Sequence, residues 1–148
     1  MKQELLDQIA AQLNENAVNY TVFLQIYEVP FTESTNSQAL IHEALGANAV
    51  VGGKEEVQAE AVCPEVEESL CYAGDDGAGP TDAALRSEMF KKLIVELRGD
   101  LSQLAADSGK IESFWLQDGH PAYPVFWDFA FLFQSDEKAT IVIGSSSD

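Results

Sequence analysis

Apolar residues recur along this chain with two periods, and the changes between them mark its elements. Leu5, Leu6, Ile9 and Leu13 return at three- and four-residue steps, which predicts an amphipathic helix over residues 2–16. Residues 20–29, YTVFLQIYEV, are β-branched and aromatic and run into Pro30, which predicts a mostly buried strand. The polar stretch Thr32–Ser37 reads as a loop, with Ser37 capping a short helix that ends at Leu45-Gly46. Between residues 47 and 80 the pattern is weaker. Ala47–Val51 suits a short strand and Gly52-Gly53 a turn, while Glu56–Cys63 alternates as a strand with one wet face would. Pro64 then opens a helical turn to Cys71, and GDDGAGP at 74–80 is a flexible loop.

Phe90, Leu93, Ile94, Leu97, Leu101 and Leu104 keep helical phase across Gly99, so one long helix is expected over about 82–106. A mid-helix glycine costs about 1 kcal/mol relative to alanine, which a large buried face absorbs. Three strands follow, at 111–116, 125–133 and 139–143, the last two joined as a hairpin through Ser135–Lys138. The terminal GSSSD is small and polar, as in a frayed end. The fold class is therefore α+β: a mainly antiparallel sheet with a C-terminal three-strand meander, packed against the long helix and the N-terminal helix.

Eight of the fourteen aromatic residues fall between Phe114 and Phe133. On a strand, Val125, Trp127, Phe129, Phe131 and Phe133 share one face, which the long helix should cover. Phe126, Asp128, Ala130 and Leu132 share the other. Burying each large aromatic contributes about 2–3 kcal/mol before entropy is counted. Asp128 is the single charge in this strand, and a covered carboxylate must pair, accept several hydrogen bonds or take up a proton. A small-molecule site, for a cationic or aromatic ligand, is accordingly expected around Asp128, Trp115, Tyr123, Phe126 and Trp127, with Asp118 and His120 at its mouth. The same Asp118, His120 and Asp128 are the residues an enzyme reading would use in acid–base chemistry.

Composition changes the ranking. At 148 residues with 46% hydrophobic content, one domain with a sizeable core is expected. Against 8 Lys+Arg stand 25 Asp+Glu, a net charge of −17. Nucleic acid and anionic membrane are poor partners for such a surface; a basic protein or a cationic small molecule is a good one. Residues 55–85 carry nine acids and no base. Within a flexible acidic stretch at about 52–80, Glu55, Glu56, Glu60, Glu65, Glu67, Glu68, Asp75 and Asp76 form the expected partner-binding set. Nucleotide, nucleophile and metalloprotease motifs are missing, and no cofactor or metal is expected. Cys63, Cys71, His42 and His120 have zinc-ligand chemistry in a spacing that matches no known zinc pattern. The opening MKQELLDQIAAQL lacks a secretory pattern, so a cytoplasmic protein with free cysteines is expected. The leading functional expectation is a non-catalytic, inhibitor- or immunity-like protein that covers a basic partner; a homodimer through a sheet edge is compatible with it.

Overall fold

The computed structural model describes residues 1–31 and 35–148, so the Thr32–Ser34 part of the expected loop lies outside the described residues. The chain order is α1 (Gln3–Asn14), β1 (Thr21–Pro30), α2 (Ser37–Leu45), β2 (Val50–Glu56), α3 (Ala59–Leu70), α4 (Asp82–Arg86), α5 (Glu88–Ala106), β3 (Lys110–Asp118), β4 (Trp127–Gln134) and β5 (Lys138–Ser147). The fold is α+β. The five strands among the described residues form one antiparallel sheet in the order β1-β5-β4-β3-β2. Strands β3, β4 and β5 are the expected meander, but the sheet as a whole is not one, because β1 flanks β5 and β2 flanks β3.

Strand β4 carries the two-sided core. Phe129, Phe131 and Phe133 pack with Val22, Leu24, Ile111 and Val142 against Leu6 and Ile9 of α1, Val62 and Val66 of α3, and Leu97 and Leu101 of α5. On the opposite face Ala130 and Leu132 join Ile141, Ile143 and Phe114 beneath Leu40 and Ile41 of α2. Alternation along the strand thus feeds two cores at once.

The long helix passes through Gly99 without interruption, as the phase of its apolar positions predicts. Its break lies instead at Ser87, where extended backbone separates α4 from α5 and the hydroxyl accepts the Phe90 N–H at 3.0 Å. That is N-cap chemistry. Asn36, not Ser37, caps α2, by accepting the Ala39 N–H.

The 47–80 region departs furthest from expectation. Residues 59–63 are helical: Val62, Val66 and Leu70 at four-residue steps provide the buried face of α3, and this outweighs both the two-residue alternation and Pro64 inside the helix. Strand β2 continues through Gly52-Gly53 instead of turning there, with a shift of register between Val51 and Gly53. The Trp115 indole of β3 lies flat across both glycines, where any Cβ would collide with it. The expected flexible stretch is therefore largely regular structure, and its loop is closed by the Val18–Gly79 and Asp75–Ala78 bridges.

The tail is also ordered. Residues Gly144–Ser147 complete β5 between β1 and β4, and Ser145 and Ser146 are fully buried. Gly144 leaves space that Phe129 and Leu24 fill, since a Cβ there would lie 2.6 and 2.7 Å from their side chains. Outside the sheet's first strand, two amide side chains of α1, Gln3 and Asn14, bond the free backbone edge of β1.

Candidate interaction surface

Among the expected site residues, two aromatic groups part company. Trp127 donates its indole N–H to the Tyr20 hydroxyl at 2.7 Å and stacks on Phe129. Phe126 packs against Tyr20 and Tyr72, on the α1/α3/α5 side, because β4 begins only at Trp127 and the strand parity does not extend back to it. Burial holds the Tyr20 phenol above its ordinary pKa; burial and then the neighbouring Asp75 push that of Tyr72 up to about 12. Trp115 is 54% exposed over β2, and Tyr123 is 79% exposed. The structure does not gather these rings into one pocket. Cavities of about 190, 530 and 310 Å³ open beside the β4–β5 hairpin, between α1 and α5, and along α5 beside Cys71, lined by none of them.

Asp128 is exposed, contrary to a strand covered on both sides. Strands β3 and β4 pair only from Lys110–Gln134 to Ser113–Phe131. Beyond Ser113, β3 leaves β4 and continues with β2 alone, so among the described residues the start of β4 has no strand partner on that side. His120 does come near Asp128: burial pushes its imidazole pKa down, and the Asp128 carboxylate acts in the opposite direction. Its Nδ1 accepts the Ala122 N–H at 2.9 Å, and its buried Nε2 has no hydrogen-bond partner among the described residues. Asp118 spends a carboxylate oxygen on the Gly119 N–H within its own turn. The two side chains are not hydrogen-bonded to each other: in this connection Asp118 accepts from Gly119, and His120 Nδ1 accepts from Ala122. The four zinc-type residues do not converge either. Cys63 packs with the α1/α3/α5 layer, whereas His42 lies on α2 across the sheet.

Among the described residues the buried carboxylate is Glu112, only 4% exposed. It accepts from the Ser37 hydroxyl and from Gln134 Nε2, and it faces Lys54 Nζ at 3.6 Å and Lys110 Nζ at 4.0 Å. Nothing in IESFW marks Glu112 as buried, and its partner Ser37 stands far away in the chain. The one available signal was weak: Lys110, Glu112 and Phe114 share a strand face.

The acidic residues of β2 and α3 form a surface. Glu55, Glu56, Glu60, Glu65, Glu68, Asp75 and Asp76 are exposed. Glu67 differs: it holds Arg98 of α5 with two bonds, at 3.1 and 2.6 Å, so this part of the acidic stretch is neutralised across the helix pair. Glu65 has the reverse environment. Partial burial raises its pKa, and the carboxylates of Glu55, Asp128 and Glu68 raise it further. These four groups, from β2, α3 and β4, therefore share one field. The ion pairs among the described residues include none of them, and the nearby cation Lys54 is turned to Glu112. No group of three or more potential metal ligands occurs among the described residues, and none of their helices is long and apolar enough to cross a membrane.

Comparison with known protein families, with curated proteins and with solved structures finds no match for this chain.

Proposed function

We propose that this chain is a non-catalytic binding protein that engages a basic protein through the surface of β2, α3 and the start of β4. One observation carries this reading: Glu65 stands among the like charges of Glu55, Asp128 and Glu68 without a cation of its own. Clustering of this kind costs folding stability, and the fold shows at Glu67 how such a charge is neutralised when it serves structure. A positively charged partner repays the cost on binding and is steered to the surface from a distance.

The test is capture of proteins from source-cell lysate on immobilised wild-type chain and on a Glu65→Lys, Glu68→Lys variant, followed by association kinetics for what is retained. Basic proteins should be held by the wild type alone, with on-rates that fall steeply as salt rises. Equal retention by the charge-reversed chain, or rates indifferent to salt, rejects the reading.

A further inference from the structure

The sheet has two edges, and the protein treats them differently. At β1 the outward backbone of Val22, Leu24 and Ile26 is occupied by the amides of Asn14 and Gln3. At β2 the phase is set by the Val57 N–H, which donates to the Ile111 carbonyl at 2.9 Å. In an antiparallel ladder, residues alternate between facing the partner and facing away. Gly53, Glu55 and Val57 therefore turn their backbone groups toward β3, and Lys54 and Glu56 turn theirs outward. Among the described residues no hydrogen bond reaches the outward groups of Lys54 or Glu56. An open edge of this kind is a template for another strand.

We infer that β2 is a docking edge, and that its occupant is an extended basic segment of the partner, added as a sixth strand beside Lys54–Glu56. The inference rests on the basic-partner reading above and says how that partner is held. Charge complementarity selects the occupant. Glu55 lies on the face of the sheet that α1, α3 and α5 cover, one same-face step from Trp115, because Glu55 pairs with Ser113 and Gly53 with Trp115. Glu56 lies on the other face, where Lys54 is drawn away to Glu112. An incoming strand thus meets a carboxylate on each of its faces, and on one face an exposed indole that reaches across Gly53 and Gly52 toward the edge. Arginine or lysine suits these positions, stacking on the indole and pairing with the carboxylates. Main-chain bonds give affinity in this mode and alternate side chains give selectivity. A second copy of this chain is the poorer occupant, since self-pairing brings two chains of net charge −17 together edge to edge.

The probe is an eight-residue peptide of alternating arginine and valine, compared with the same peptide N-methylated at every residue, which keeps each charge and loses each backbone donor. The unmodified peptide should bind at least about tenfold more tightly, and it should slow hydrogen exchange at the Lys54 and Glu56 amides. Glu56→Pro removes an outward donor from an edge strand without touching the β2–β3 ladder. It should bind at least about tenfold more weakly than Glu56→Gln, which makes the same charge change. Equal binding of the two peptides, both weakened by Glu65→Lys, Glu68→Lys, overturns strand addition while leaving the acidic surface as the binding site. Binding of neither peptide overturns it as well. So does a doubled mass in sedimentation with Lys54 and Glu56 already protected, which would make a second copy the occupant.

Discussion

Asn14 reads the backbone of Val22 as a neighbouring strand would. Its carboxamide oxygen accepts the Val22 N–H at 2.7 Å, and its amide donates to the Val22 carbonyl at 3.3 Å. Gln3 repeats the arrangement at the other end of α1, accepting from Ile26 N–H at 2.9 Å and donating to the Leu24 carbonyl at 3.0 Å. Asn14→Leu keeps the volume and strands both groups of Val22. A loss of about 1–3 kcal/mol is expected, seen as a drop in Tm of about 2–4 °C for each kcal/mol in a chain of this size. Light scattering should rise with it, since the edge is no longer closed. An unchanged Tm would mean that the amides decorate an edge protected by other means.

Glu112 gives an asymmetric prediction. The buried member of its network is the carboxylate, whereas the side chains of Lys54 and Lys110 are each 46% exposed. Removing the lysines therefore strands a charge in the interior, and removing the carboxylate leaves two cations that water can reach. Lys54→Met with Lys110→Met should cost about 3–5 kcal/mol. Glu112→Gln, which keeps an acceptor for Ser37, should cost about 1–2 kcal/mol. Urea denaturation of the two variants checks the order, and a reversed order would place the charge in solvent.

His120 makes stability depend on pH in a definite direction. Its folded pKa lies below the 6.5 of a free imidazole because burial disfavours the charged form, Asp128 opposing in part. The unfolded chain thus binds the proton more readily. Stability is full above 6.5 and falls as pH drops from there through the folded pKa. The Tm of the wild type should decline over that window more than the Tm of His120→Gln. Parallel curves would show that the ring is not held neutral by its surroundings.

Glu65→Gln should stabilise the protein while weakening its association with a basic partner. Relief from Glu55, Asp128 and Glu68, in a group that water still reaches, amounts to a few tenths of a kcal/mol and fades with added salt. Stability and binding moving in opposite directions separates a functional charge from an incidental one. If both fall together, Glu65 is a structural residue.

Gly144 lies under Phe129 and Leu24, so Gly144→Ala overfills that layer. A loss of about 1–3 kcal/mol is expected, measurable as a lowered denaturation midpoint with an unchanged slope.

The parts of this fold that were legible in the chain are those where one period holds over many residues. Phe129, Phe131 and Phe133 declare their strand, and Phe90 to Leu101 declare α5 across Gly99. Where two periods overlap, as from Val57 to Val66, the alternation of small residues suggested a strand while Val62, Val66 and Leu70 were already spaced for a helix. Gly52-Gly53 reads as a turn in sequence because the reason for two glycines is Trp115, a tertiary neighbour. Ser145 and Ser146 looked like a frayed tail because their burial depends on Ala122 and on the strands either side. The candidate site was the least legible part. Parity alone puts Asp128 on a covered face, and parity says nothing of where β3 leaves β4. Glu112 lay hidden because its burial is settled by Ser37, from the opposite layer.

The register of the sheet also orders events in time. Among the described residues β1 has β5 as its one strand neighbour, with Thr21 beside Ser147 and Pro30 beside Lys138, so most of the polypeptide lies between them and must be made before the pair can close. Closing so large a loop early is entropically expensive, and folds dominated by such distant pairings reach the native state slowly. Until then β1 has only sequence-local partners, α1 and α2, and the two carboxamides of α1 hold the edge that no strand among the described residues covers.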